Sequence, residues 1–250
     1  MTPLALLFGI TAALYAAVGF GGGSTYNALL ALWGVDYRLL PAIALLCNII
    51  VVTGGSIRFA RAGIVPWRRM WPILLLSAPM AWLGGRMPIS ESLFTGLLGL
   101  SLLIAGVLLL FQPERRDDLP DMQSRVVTPL IGAAVGLLSG LVGIGGGIFL
   151  APIMHLIGWA RAKRIAASAS LFILVNSIAG LIGQLMKIAD PVLEAELLSY
   201  WPLGIAVLIG GQLGSVVGIK LLPASLVRRV TAVLILYVAV RMLGKWVGWF

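Results

Sequence analysis

Gly19-Phe20-Gly21-Gly22-Gly23-Ser24 interrupts an apolar run near the N-terminus, and Gly143-Ile144-Gly145-Gly146-Gly147 interrupts another, 124 residues later. Each break leads into a short apolar segment, at 24–34 and 148–158. At 1.5 Å per residue a helix of that length covers roughly 16 Å, about half of a ~30 Å hydrocarbon core. Backbone left unpaired at membrane depth is tolerated only where it is buried in protein or lines a cavity. A Gly-rich elbow that opens a helix also gathers free N–H groups at the positive end of the helix dipole, a seat for an anion. Two such elbows in corresponding halves of one chain predict a small-anion site between them.

The surrounding composition fixes the class. Of 250 residues, 60% are hydrophobic and 11% charged, with a mean hydropathy of +1.05. Soluble domains carry about 25% charged residues, so the chain reads as an all-α, polytopic membrane protein. The first charged side chain is Asp36, so the basic n-region of a cleavable signal peptide is missing and Thr2–Val18 is expected to be retained. A single cysteine, Cys47, leaves neither an intrachain disulfide nor a Cys-based metal cluster. In a soluble protein the net charge of +9 would suggest nucleic acid. Here it suggests basic loops facing anionic lipid, so the bilayer and not nucleic acid is the expected partner.

Apolar segments run at about 3–18, 24–34, 40–57, 70–87 and 92–111, then at 126–142, 148–158, 165–185, 200–219 and 225–243. Between them Gln112–Arg125 holds seven charges and two prolines, the one stretch resembling a linker. The expected domains are a first transmembrane repeat at 1–111, a cytoplasmic linker at 112–125 and a second repeat at 126–250. Gly19, Gly21, Gly22, Gly23 and Gly34 match Gly143, Gly145, Gly146, Gly147 and Gly158 at a constant offset. Further on, Asn48 matches Asn176, and Gly84 and Arg86 match Gly218 and Lys220.

Orientation follows from Lys and Arg, which gather on the cytoplasmic side. If each elbow and its short helix form a hairpin returning to the side it left, thirteen basic residues fall inside and five outside. If each pair makes a single pass instead, the division is ten against eight. The bias favours hairpins. The expected fold is an inverted repeat of two five-segment halves, with eight spanning helices plus two short helices forming Gly-elbow hairpins, and both termini outside.

Gly140-Leu141-Val142-Gly143-Ile144-Gly145-Gly146-Gly147, then Pro152, then Ala166-Ala167-Ser168-Ala169-Ser170-Leu171, resembles the TauE/SafE sulfite exporter family. Gly19-Phe20-Gly21-Gly22-Gly23 is similar to the first-half copy of the same motif. The resemblance covers nearly the whole chain and implies movement of sulfite or organosulfonates across the bacterial cytoplasmic membrane, in either direction. The first half departs from the pattern. No proline sits four or five residues after its glycines, and Asn27 stands where the second half has Ala151.

The nine acidic residues all lie outside the apolar segments. A membrane interior without carboxylates does not repel an oxyanion and lacks the usual acid relay of proton-coupled carriers. The candidate substrate-binding residues are Gly21, Gly22, Gly23, Ser24, Thr25, Asn27, Asn48, Gly145, Gly146, Gly147, Ser168, Ser170 and Asn176. In this reading the elbow N–H groups supply the main donors and the hydroxyls and amides complete the shell. Ser24 and Thr25 also suit an N-cap, and the two asparagines suit interhelical hydrogen bonds. Gly132/Gly136/Gly140 and Gly210/Gly214/Gly218 have the small-xxx-small spacing of packed helices. His155, the lone histidine, reads as a structural group, and Arg86 and Lys220 as side chains reaching for the interface. A cofactor or a metal is not expected, and too few catalytic partners exist for an enzyme. The leading reading is an anion transporter for sulfite, thiosulfate or an organosulfonate. An anion channel, or a carrier of another small organic anion, is the alternative, and a homodimer is compatible with either.

Overall fold

The computed structural model describes residues 1–18, 20–111, 127–188, 190–221 and 224–249, with the backbone alone at 17, 18, 215–221, 224–228, 230 and 231. Gly19, the linker at 112–125 and the Lys220 side chain fall outside the described parts. The described residues form eleven helices and no strand: α1 Thr2–Val18, α2 Gly23–Trp33, α3 Leu40–Arg61, α4 Trp67–Arg86, α5 Glu91–Leu110, α6 Val127–Val142, α7 Gly147–Leu156, α8 Ala162–Lys187, α9 Pro191–Ser199, α10 Trp201–Leu221 and α11 Ala224–Val247.

Ten of these follow the ten apolar segments. The eleventh, α9, occupies a stretch that hydropathy leaves as a loop, because Glu194 and Glu196 dilute it. Local chemistry starts it nonetheless: the Asp190 side chain accepts from the Val192 N–H, and Pro191 takes the first helical position. Among the described residues four stretches are long and apolar enough to cross a bilayer: α3, α5, α8 and Pro191–Gly214. At 17 and 16 residues, α1 and α6 fall short of that length. In α4 two arginines, Arg68 and Arg69, sit in the first turn.

Glycine decides how the helices pack. Helices in lipid gain nothing from hydrophobicity against one another, so they associate where small residues let backbones touch. On α6, Gly132, Gly136 and Gly140 lie against Ile73, Ser77 and Ala81 of α4, and a Cβ at Gly136 or Gly140 would strike a main-chain carbonyl. On α10, Gly210 and Gly214 lie in the same way against Gly9 and Ala13 of α1. A third seam joins Gly85 of α4 to Gly180 of α8, beside which the Gln184 amide donates to the Gly140 carbonyl at 2.7 Å. The small-residue spacings of the sequence are therefore packing seams. They also interleave the chain: α1 packs on α10, α6 on α4, α5 on α11 and α3 on α8.

Two ends of the bundle can be told apart by their polar contacts. At one, Lys245 pairs with Glu91 at 2.9 Å, on the wall of a cavity of about 440 Å³ that also holds Asp36 and Arg38. A smaller cavity there brings Arg38 and Pro88 together with Lys187. Hydrogen bonds from Arg38 hold the Asp36 carboxyl below its usual pKa. At the other end the Arg69 guanidinium donates to the Trp159 carbonyl at 3.0 Å and lies over the Trp159 ring. Arg86 stacks on Trp82 one turn before it, as a side chain reaching for the interface does.

Candidate functional site

The two elbows share a cap, although Gly145 is left-handed at φ 83° where its match Gly21 is not. Gly22 and Gly146 are the N-caps of α2 and α7, both left-handed, at φ 88° and 78°. Only glycine enters that region without strain. At the far ends Gly34 and Gly158 are again left-handed, and the closing bonds match, Val35 N–H to Leu30 and Trp159 N–H to Met154. This is the left-handed closure common at helix C-termini.

Side chains then bring the elbows together. Asn48, on α3, donates its amide N–H to the Ile144 carbonyl at 3.2 Å. Asn27, on α2, donates to the Val142 carbonyl at 3.0 Å. Gly21 and Gly23 both lie against the Asn48 amide, and Gly23 also against the Ile144 carbonyl. Gly145 faces the same Asn48 amide, and Ile173 of α8 touches Gly21, Gly145 and Gly147. Thus Gly21, Gly22, Gly23, Asn27, Asn48, Gly145, Gly146 and Gly147 gather around one crossing point.

The orientation of these amides is fixed by chemistry. A carbonyl can only accept, so each asparagine must turn its nitrogen toward it. The Oδ1 atoms of Asn27, Asn48 and Asn176 are left buried without a partner among the described residues. Asn176 behaves differently from its match. It donates to Phe172 in its own helix at 2.8 Å rather than to the opposite elbow.

Ser24 and Thr25 do not cap α2. The helix begins at Gly23, with Gly22 as the cap and no side-chain capping bond, so both lie already inside the first turn. The Thr25 hydroxyl instead pairs with the Tyr15 hydroxyl at 2.8 Å. Ser168 and Ser170 flank Ala169, whose carbonyl lies beside Gly147, one turn of α8 before Ile173. Ser170 pairs with Ser56 across the α3–α8 seam at 3.0 Å. Ser168 is fully buried with an unpartnered hydroxyl.

Two residues at the crossing were not legible as candidates. The Ser177 hydroxyl stands beside Gly145, buried and unpartnered. The Tyr26 hydroxyl lies over Gly22, also buried and unpartnered, while its ring stacks on Phe8 at 4.7 Å. A lone hydroxyl residue in an apolar run looks like packing, and only the helix geometry reveals where it points. The described acidic residues stand far from here: Asp36 in a loop, Glu91 and Asp190 at helix starts, Glu194 and Glu196 in α9.

What the crossing offers is a carboxylate-free junction between two helix N-termini. The N–H groups of Gly23, Ser24, Thr25, Gly147 and Ile148 lie in first turns, where a helix provides no acceptor.

Comparison with known proteins gives this junction a context. The family model "Sulfite exporter TauE/SafE" matches residues 4–242. The chain is 33% identical over 247 residues to the "Probable membrane transporter protein y4hK" of Sinorhizobium fredii, covering 96% of this chain and 97% of that protein. It is 24% identical over 287 residues to the "Probable membrane transporter protein MamO" of Paramagnetospirillum magneticum, covering 97% of this chain but 44% of that longer protein. To the "Probable membrane transporter protein MJ0441" of Methanocaldococcus jannaschii it is 27% identical over 197 residues, covering 74% of this chain and 73% of that protein. No solved structure matches. With the model matching from Leu4 to Met242 and a transporter relative aligned end to end, the chain belongs to the TauE/SafE sulfite exporter family of membrane transport proteins.

Proposed function

We propose that this protein carries a small sulfur-containing oxyanion, such as sulfite, thiosulfate or an organosulfonate, across the bacterial cytoplasmic membrane. The anion sits near the midplane, at the crossing of the two elbows, and is held by backbone N–H groups. The observation that carries this reading is that glycines flanking two left-handed N-caps, Gly21 and Gly23 beside Gly22 and Gly145 beside Gly146, all lie against one asparagine amide, Asn48. Helix dipoles and unpaired N–H groups favour an anion there, and the junction holds no carboxylate to repel it.

The topology that suits this function is the inverted repeat with hairpin elbows, and the polar contacts support it. If each elbow and its short helix crossed the membrane once, Arg69 and Trp159 would lie on opposite faces, and so would Glu91 and Lys245. Both pairs are in hydrogen-bond contact. Hairpins put each pair on one face. The packing also exchanges as a two-fold axis between halves demands: α1 on α10 mirrors α6 on α4. Eight spanning helices and two half-spans follow from that arrangement.

The test is direct. Purified protein is titrated with sulfite, thiosulfate, sulfoacetate and chloride, and reconstituted into liposomes to follow flux of the anion that binds. Saturable binding and flux of one sulfur oxyanion, with chloride inert, is expected. Unsaturable flux of chloride alongside sulfite would point to a channel and sink the carrier reading.

A further inference from the structure

The two elbows share a left-handed cap but not a lining. Over Gly146 lie Phe172 and Val135, so that a Cβ there would come within 2.8–2.9 Å of carbons on two other helices. The mouth of α7 is thus crowded by two hydrocarbon side chains, with the smaller Ser139 beside them at 3.5 Å and Ser177 next to Gly145. Over Gly22 lies Tyr26, with its ring and hydroxyl 3.1–3.2 Å from where a Cβ would stand. Helical side chains lean toward the N-terminus, so a tyrosine one turn past the cap lays its hydroxyl over the first turn of its own helix. At the position matching Tyr26 the second half has Leu150.

The Tyr26 side chain is fully buried, and its hydroxyl has no partner among the described residues. A dry hydroxyl without a partner is costly, and buried tyrosines ordinarily find one. This one is aimed at the place where the N–H groups of Gly23, Ser24 and Thr25 also lack acceptors. Four donors, three from the backbone and one phenolic, therefore belong to the first turn of α2, where the helix dipole adds its positive end. Nearby, the Tyr15–Thr25 hydroxyl pair occupies Thr25, leaving its N–H for the ligand.

We infer that the anion-binding seat is the first elbow alone, with the Tyr26 hydroxyl as a side-chain donor to one oxygen of a sulfite or sulfonate group, and that the second elbow is a packed support. This rests on the oxyanion reading above. A trigonal –SO₃ head suits the arrangement, since its three oxygens can each take a donor. The ring stays in place on Phe8 while the hydroxyl does the recognising.

Tyr26→Phe removes the hydroxyl and keeps the stacked ring. Leu150→Met makes a volume-conserving change at the matching position of α7. Both are compared with wild type by calorimetric titration with sodium sulfite in detergent and by melting temperature without ligand. Tyr26→Phe is expected to weaken sulfite binding about tenfold, which is 1.4 kcal/mol, with an unliganded melting temperature equal to or above wild type. Leu150→Met is expected to bind as wild type does. Normal sulfite affinity in Tyr26→Phe overturns the assignment while leaving the transporter reading intact. A lowered melting temperature with affinity lost in step also overturns it, because the hydroxyl then has a structural partner. Wild type that binds none of the sulfur oxyanions overturns the assignment and the transporter reading together.

Discussion

The first and second elbows begin alike and are held differently. Both open on a left-handed glycine and close on another, at Gly22 and Gly34, and at Gly146 and Gly158. Yet the second is pinned from outside by two amides, Asn27 and Asn48, and roofed by Phe172 and Val135. The first receives no such amide from Asn176, which folds back onto Phe172. It is roofed by its own Tyr26 instead. A duplicated cap therefore does not carry duplicated surroundings. The cap glycines preserve a shape, and the neighbouring side chains decide what covers it.

The sharpest way to break this comparison is to ask whether the elbows enter from opposite faces at all. In a Cys47→Ser background, single cysteines at positions 62 and 162 should both label from the cytoplasmic side only, and cysteines at the termini from outside only. The readout is all or none. Labelling of 62 and 162 from opposite sides would restore single passes and dissolve the crossing.

Next in size are the cap glycines. The constant offset makes Gly22 and Gly146 equivalent in sequence, so Gly22→Ala and Gly146→Ala look interchangeable there. The structure separates them. Both pay left-handed strain of about 1–2 kcal/mol, but at Gly146 the new methyl also meets Phe172 and Val135, anchored on α8 and α6. Overpacking of that kind adds about 1–3 kcal/mol. Gly146→Ala should therefore melt well below Gly22→Ala in detergent, and Gly34→Ala, whose methyl meets nothing, should show strain alone. Equal melting points for Gly22→Ala and Gly146→Ala would mean the second roof yields as easily as the first.

The smallest expected effect concerns the amides. Asn48→Ala strips the Ile144 carbonyl of its donor in a buried place, a loss of about 1–3 kcal/mol. Asn176→Ala removes a bond to Phe172, whose carbonyl lies within α8 and keeps its helical partner. That loss should stay near 1 kcal/mol or below. Thermal melts of the two variants side by side decide it, and a larger loss for Asn176→Ala would mean that Asn48 is not the amide that pins the second elbow.

Much of this was legible in the sequence. The helices followed the apolar segments, because in a membrane protein length and hydropathy carry the signal. The glycine blocks marked the elbows, since few residues other than glycine tolerate two left-handed turns there. The seams at Gly132/Gly136/Gly140 and Gly210/Gly214 followed from their spacing. What stayed hidden was direction. Nothing in the order of residues says that Asn48 reaches Ile144 while its match Asn176 turns inward. Nor does it say that Ser170 turns its hydroxyl to Ser56 of α3, or that Ser24 and Thr25 sit past the cap. Tyr26 looked like one more aromatic in an apolar helix, because a hydroxyl's value depends on which turn it covers.

The interleaving of α1 with α10 also sets a clock. Gly9 and Ala13 of α1 find their partners, Gly210 and Gly214, only on a helix that ends at Leu221. At 5–20 residues per second of synthesis, α1 emerges roughly 10–40 s before α10 can reach it. Through that interval its small-residue stripe faces lipid or a membrane chaperone, and so does the first elbow beside it. A ribosome stalled midway through the second half would leave an inserted chain that cannot close. Quality control in the membrane would meet this protein as a half-built molecule with its glycine face uncovered.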